Sequence, residues 1–153
     1  MKNCPECNDL GRKINQATIQ SQIIFSFQPS QDDWFFCKTP HCSVAYFSSS
    51  EIKPISLDSL KETPFSKSTN LNHLICFCFH HTAQEILDDL LHNSTPRIKA
   101  DIIEACRKEL SDCLHKNPEG RCCLGNISML LKTKQEEKQS CCSQSSCQKE
   151  ELQ

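Results

Sequence analysis

Thirteen cysteines in 153 residues constrain this chain more than any other feature. Most fall in close groups: Cys4-Pro5-Glu6-Cys7, Cys37-Lys38-Thr39-Pro40-His41-Cys42, Cys76-Phe77-Cys78, and Cys113 with the doublet Cys122-Cys123. Such density means either a disulfide-stapled secreted scaffold or a metal protein. The close spacing suits metal ligands. The N-terminus, Met1-Lys2-Asn3-Cys4, offers no apolar stretch for a signal peptide, and no apolar run reaches membrane-spanning length. The expectation is a cytoplasmic protein with reduced thiols and no membrane insertion. A net charge of −2 and a pI near 6.3 do not supply the basic face of a nucleic-acid binder. With 37% hydrophobic residues the apolar core is modest, and a bound metal is a natural staple.

The first constellation is Cys4, Cys7, Cys37 and Cys42. Two knuckles, one CxxC and one slightly longer, are separated by β-type runs. Four thiolates brought together this way give the closed tetrahedron of structural zinc. His41 is an alternative fourth ligand, but Cys42 makes it unnecessary, and His41 reads as a solvated turn residue. Two disulfides are the competing reading. A copper(I) site of the Met-x-Cys-x-x-Cys kind fits less well, because Met1 precedes Cys4 by three positions and a second knuckle is present.

The rest of the chain divides by composition. Residues 1–50 hold three runs typical of strands, Ile23 to Phe27, Trp34 to Phe36 and Val44 to Phe47. Residues 51–70 read as a linker broken by Pro54 and Pro64, with a short strand or turn around Ile55 to Leu60. Residues 71–132 carry helix signals. Thr82-Ala83-Gln84-Glu85 is a capping box opening a helix with Ile86, Leu87, Leu90 and Leu91 on one face. Thr95-Pro96 starts a second helix, with Ile98, Ile102, Cys106 and Leu110 as its apolar stripe. Cys106 on that stripe reads as a small buried hydrophobe. A third helix runs from about Leu124 to Lys132. Residues 133–153 are polar and are expected to be disordered.

The second constellation is Cys76, Cys78, Cys113 and one of Cys122 or Cys123. On an extended segment Cys76 and Cys78 point to the same side. Zinc sites more often use wider spacing, whereas CxC followed by two distant cysteines suits a rhombic 2Fe-2S cluster with two cysteines on each iron. Asn117-Pro118-Glu119-Gly120 has the residues of a type I turn, which brings Cys113 back toward the doublet.

These residues resemble a known family. Residues 74–131 are similar to the BFD-like 2Fe-2S domain, the fold of bacterioferritin-associated ferredoxin. The resemblance rests on Cys76-Phe77-Cys78, the helical hairpin, and Cys113-x-x-x-Asn117-Pro118-x-Gly120-x-Cys122-Cys123-Leu124-Gly125-Asn126-Ile127. Cys4-Pro5-x-Cys7, Phe36-Cys37 to Cys42 and Val44-Ala45-Tyr46-Phe47 resemble a zinc-binding domain. Together, residues 1–131 resemble the N-terminal region of CopZ-type copper chaperones. The implied fold class is α+β: a small β-rich zinc module (1–50), a linker (51–70), an all-helical cluster domain (71–132) and a tail (133–153). In BFD-like domains the last ligand starts a helix with apolar residues at +1, +4, +7 and +8. From Cys123 these are Leu124, Ile127, Leu130 and Leu131; from Cys122 the phase fails. Cys123 is thus the expected ligand, with Cys122 as the alternative.

The resemblance implies metal-ion handling. A 2Fe-2S cluster would transfer one electron, reducing copper(II) to copper(I). Partners would be copper ions and a copper-transporting ATPase or carrier domain. Such chaperones continue into a ferredoxin-like heavy-metal-associated domain, which this chain is expected to lack. Cys141, Cys142 and Cys147 in the tail are candidate copper(I) ligands, since soft thiolates suit that ion. Arg121 is expected to stabilise the reduced cluster, while His80 and His81 read as solvated side chains. Two alternatives stay open: a ferredoxin-like electron carrier for iron release or a larger oxidoreductase, and a non-redox adaptor with zinc in both sites. No acid–base pair or nucleophile–His arrangement argues for a conventional enzyme.

Overall fold

The aromatic runs at 34–36 and 44–48 become neighbouring antiparallel strands in the computed structural model, which describes residues 1–50 and 53–143, with side chains as far as residue 140. The fold is α+β. One sheet has the order β1 (Arg12–Ile14), β2 (Trp34–Phe36), β3 (Val44–Ser48) and β4 (Ile55–Ser56), all antiparallel. Both faces of its central strands are covered, which is why they read as unbroken apolar runs rather than alternating ones. Trp34, Phe36 and Tyr46 pack on one face with Ile14, Ile19, Ile23, Ile55 and Leu60. Phe35, Val44 and Phe47 pack on the other with Cys4, Cys37 and Cys42. Phe35 and Phe47 are cross-strand partners, and their rings stack at 5.6 Å.

Between β1 and β2 lies α1 (Gln16–Gln22), where a strand was expected a few residues later. Asn15 caps this helix by accepting from the Ala17 amide at 2.8 Å. Ile23 keeps only an isolated bridge to Leu60, and Ile24 and Phe25 are exposed, so the expected strand at 23–27 does not form. The sheet draws β4 from the stretch read as a linker. Short 3₁₀ turns at Leu57–Ser59 and Phe65–Lys67 fill much of the rest.

The second module is mainly helical, with one hairpin rather than none. β5 (Leu74–Cys76) pairs with β6 (His81–Thr82) and carries the CxC segment around its turn. α2 (Ala83–His92) opens on the expected capping box: Glu85 N donates to Thr82 Oγ1 at 3.1 Å and Thr82 N donates to Glu85 Oε2 at 2.7 Å. α3 (Arg97–Arg107) follows, then α4 (Cys113–Lys116) and α5 (Leu124–Ser143). Ile75, Cys76, Cys78, Ile86, Ile102, Cys123, Ile127 and Leu131 form the core. Two expected core positions are outside it: Leu91, and Leu110, which follows the left-handed Glu109 beyond the end of α3. Residues 133–143, expected to be disordered, continue α5. Helix-favouring residues carry it onward, with Thr133 Oγ1 donating to Met129 O at 2.9 Å and Lys134 paired to Glu137 at 2.7 Å.

A polar seam joins the modules. α1 packs on α4. Thr18 Oγ1 donates to Leu114 O at 2.6 Å, Gln22 Nε2 to His115 O at 2.8 Å, and Tyr46 Oη to Pro118 O at 2.5 Å. Gly120 closes the Asn117 turn with φ +65°, and a Cβ there would sit 2.9 Å from Thr18 Oγ1. Gly120→Ala is therefore expected to lower unfolding free energy by about 2–3 kcal/mol, from left-handed strain plus overpacking. Urea titration followed by circular dichroism would measure it. A loss within error of zero would show that the seam yields freely.

Candidate metal centres

The zinc-type site is built where three sheet-flanking segments meet. Cys4 and Cys7 lie on the turn before β1, Cys37 follows β2, and Cys42 precedes β3. The four Sγ atoms all lie within 4.8 Å of one another. Cys4 and Cys42 are 3.8 Å apart, and Cys7 and Cys37 are 3.7 Å apart. A tetrahedron with metal–sulfur bonds of about 2.3 Å has edges of about 3.8 Å, so the four sulfurs already stand at ligand spacing. None is paired in a disulfide. His41 is exposed and outside the group.

The local backbone favours negative sulfur here. The nearby amides of Glu6 and Cys7 favour the Cys4 thiolate, that of Asp9 the Cys7 thiolate, and that of Val44 the Cys42 thiolate. Burial nevertheless pushes Cys4 up and Cys42 up to about 12. The less buried Cys7 is drawn down to about 7, chiefly by its hydrogen bond with the Thr39 hydroxyl at 3.2 Å. Thr39 in turn donates to Asp9 Oδ2 at 2.6 Å. A bound cation would hold all four as thiolates.

The second set has a different geometry. Cys76 ends β5, Cys78 lies in the hairpin turn, Cys113 begins α4 and Cys123 precedes α5. Cys78 and Cys113 are 3.4 Å apart, and Cys76 and Cys123 are buried in the same cluster, close enough to shift each other's acidity. Among the described residues no other group of three Cys, His, Asp or Glu side chains gathers its ligand atoms as the first set does. The four thiols are thus arranged two by two, not around one point. Their pairing pulls Cys76 down to about 7 and pushes Cys123 up, with burial adding to the rise. Burial lifts Cys113 to about 12. Backbone amides of Cys78 and Phe79 point at Cys76, that of Cys123 at Cys113, and that of Asp112 at Cys78 at 3.3 Å.

The doublet splits cleanly. Cys123 is buried against Cys76, and its carbonyl accepts the first α5 hydrogen bond, from Ile127 N at 3.0 Å. Cys122 is exposed. Cys106 is half-buried and packs against the second core. His80 is exposed with φ 58°, and His81 lies 3.7 Å from Glu85. Arg121 is not a free cation: its Nε is 3.2 Å from Glu119 and its Nη2 donates to Asn126 at 2.8 Å. Glu119, to which the turn motif assigns no role, is buried. Of the tail cysteines, Cys147 lies outside the described residues, as do the side chains of Cys141 and Cys142.

Residues 1–61 match the zinc-binding domain family of CopZ. All four sulfurs of the first set fall inside that match. The chain is 25% identical over 131 residues to the copper chaperone CopZ of Archaeoglobus fulgidus. That alignment covers 85% of this chain and 62% of the relative, so the chain spans somewhat less than two thirds of that protein's length. The fold is similar to the X-ray structure of the Archaeoglobus fulgidus CopZ N-terminal domain, with a TM-score of 0.64 at 22% identity, covering 84% of this chain and 96% of that domain. No helix among the described residues is long and apolar enough to cross a membrane.

Proposed function

We propose that this chain is a zinc-stabilised iron–sulfur protein of metal-ion handling, with a role close to that of a copper chaperone. The observation that carries the reading is the pairing of Cys76 with Cys123 and of Cys78 with Cys113. A rhombic 2Fe-2S cluster takes two cysteines on each iron, and a two-by-two set of thiols suits it better than it suits one tetrahedral zinc. Cys76, Cys78, Cys113 and Cys123 would hold the cluster. When bound, it would supply a one-electron couple, and the proposed use is reduction of copper(II) to copper(I). The CopZ relative lends the copper role its support.

The surrounding residues suit that task. Ile75, Ile86, Ile102 and Ile127 shield the thiols from water. The amides aimed at the sulfurs, and the free N–H groups at the start of α5, favour negative charge there. Cys113 is only half-buried, beside the exposed Leu114, so electrons would pass on that side.

Anaerobic reconstitution with iron and sulfide tests the reading. The expected product is red-brown, carries one zinc and two irons per chain, and gains an EPR signal on one-electron reduction. The reduced protein should convert one equivalent of copper(II) to copper(I), read with a copper(I)-specific chelator. A colourless product with two zinc ions would replace the proposal with a non-redox adaptor. A cluster that leaves copper(II) untouched would leave an electron carrier.

A further inference from the structure

The turn between Cys113 and Cys123 is locked from outside its own module. Glu119, at its centre, is 2% exposed. Its Oε1 accepts from Ser66 N at 3.0 Å and from Asn126 Nδ2 at 3.3 Å. Its Oε2 lies 3.2 Å from Arg121 Nε and 3.8 Å from Arg12 Nη2. Arg12 also donates to the Glu119 carbonyl at 2.7 Å. Arg12 belongs to β1, five residues after Cys7. Asn126 stands in the first turn of α5, three residues after Cys123. One buried carboxylate therefore ties the zinc module, the connecting 3₁₀ turn, the thiol-bearing turn and α5 together. A buried carboxylate is tolerated only when paired and hydrogen-bonded, and here two guanidinium groups and two neutral donors do this.

We propose that Glu119 is a positioning residue for the second metal centre, and that Arg12 of the zinc module acts on that centre through it. The inference rests on the cluster reading above. Arg12, Arg121 and Glu119 together contribute one net positive charge at the turn that joins Cys113 to Cys123. Reduction adds a negative charge to a cluster, so nearby positive charge raises its potential. Removing Glu119's charge leaves two cations, and removing either arginine leaves none in excess. The geometry also makes Arg12, which holds no metal, a determinant of cluster retention.

The test is redox titration of the reconstituted full-length chain, followed by EPR. Glu119→Gln should shift the potential upward, and Arg121→Ala and Arg12→Ala downward. Glu119→Gln combined with Arg121→Ala should return close to wild type, because one net positive charge is restored. Arg12→Lys should stay near wild type, and Arg12→Ala should lose its cluster to a chelator several-fold faster. A purely structural role would instead make the double variant worse than either single one. That result, or potentials that do not move, would overturn the proposal. A second measurement needs no cluster: a denaturation cycle on Arg12→Ala and Glu119→Gln in the zinc-loaded, cluster-free chain. Non-additive losses are expected, and additive ones would sink the tie between modules. Failure of the wild type to take up iron and sulfide would instead count against the cluster reading alone.

Discussion

Stripping zinc from the first site should unfold the sheet around it. Cys4, Cys37 and Cys42 are not surface staples; they are core residues packed with Phe35, Val44 and Phe47. Structural zinc contributes on the order of 10 kcal/mol of apparent binding free energy in small domains, comparable with a whole domain's stability. Cys37→Ser, or a strong chelator, is thus expected to lose most of the module's cooperative unfolding. The single tryptophan, Trp34, is 1% exposed in this module's core and reports on it directly. Its emission should move to longer wavelength in step with zinc release. Falling pH should produce the same change, because each ligand must lose its proton to bind and protons compete at low pH. Unshifted Trp34 emission in the metal-free protein would mean that the sheet stands without its ion.

Cys123→Ser should abolish the second centre, whereas Cys122→Ser should leave it intact. The two thiols are adjacent in sequence, but only Cys123 is buried against Cys76 at the start of α5. Serine offers a poorer ligand, and Cys122 stands outside the helix, facing solvent. The expected loss is essentially complete: no visible absorption and no reduced-state EPR signal after reconstitution of Cys123→Ser. Cys78→Ser should behave like Cys123→Ser. The assignment would be wrong if Cys122→Ser lost its colour while Cys123→Ser kept it.

Much of this arrangement could be read from local chemistry. The capping box at Thr82 and the turn at Asn117 form from residues whose own side chains satisfy the backbone, so sequence suffices to find them. The turn's Gly120 N indeed donates to Asn117 O at 2.8 Å. The four sulfurs of the first set sit at the short knuckle spacings that zinc sites use. What escaped reading depends on tertiary contact. α1 is a seven-residue helix with no strong periodicity, and it is held by packing on α4. Leu91 and Leu110 fit a helical stripe but lie where no other element covers them. Glu119 drew no notice as a turn residue because nothing near it in sequence announces Arg12, more than a hundred positions away. The pairing of Cys76 with Cys123 likewise needed the hairpin and α5 to be placed together.

The edges of the first sheet bear on how this protein fails. Its outer strands, β1 and β4, span only three and two residues, and they enclose the aromatic segments Trp34–Phe36 and Val44–Ser48. Short outer strands leave little room for another chain to add on. Once the metal is gone that protection goes with it, and two segments of high β-propensity and no charge become available to other copies. Metal depletion in concentrated solution should therefore end in insoluble aggregate rather than in a soluble apo form that waits for zinc to return.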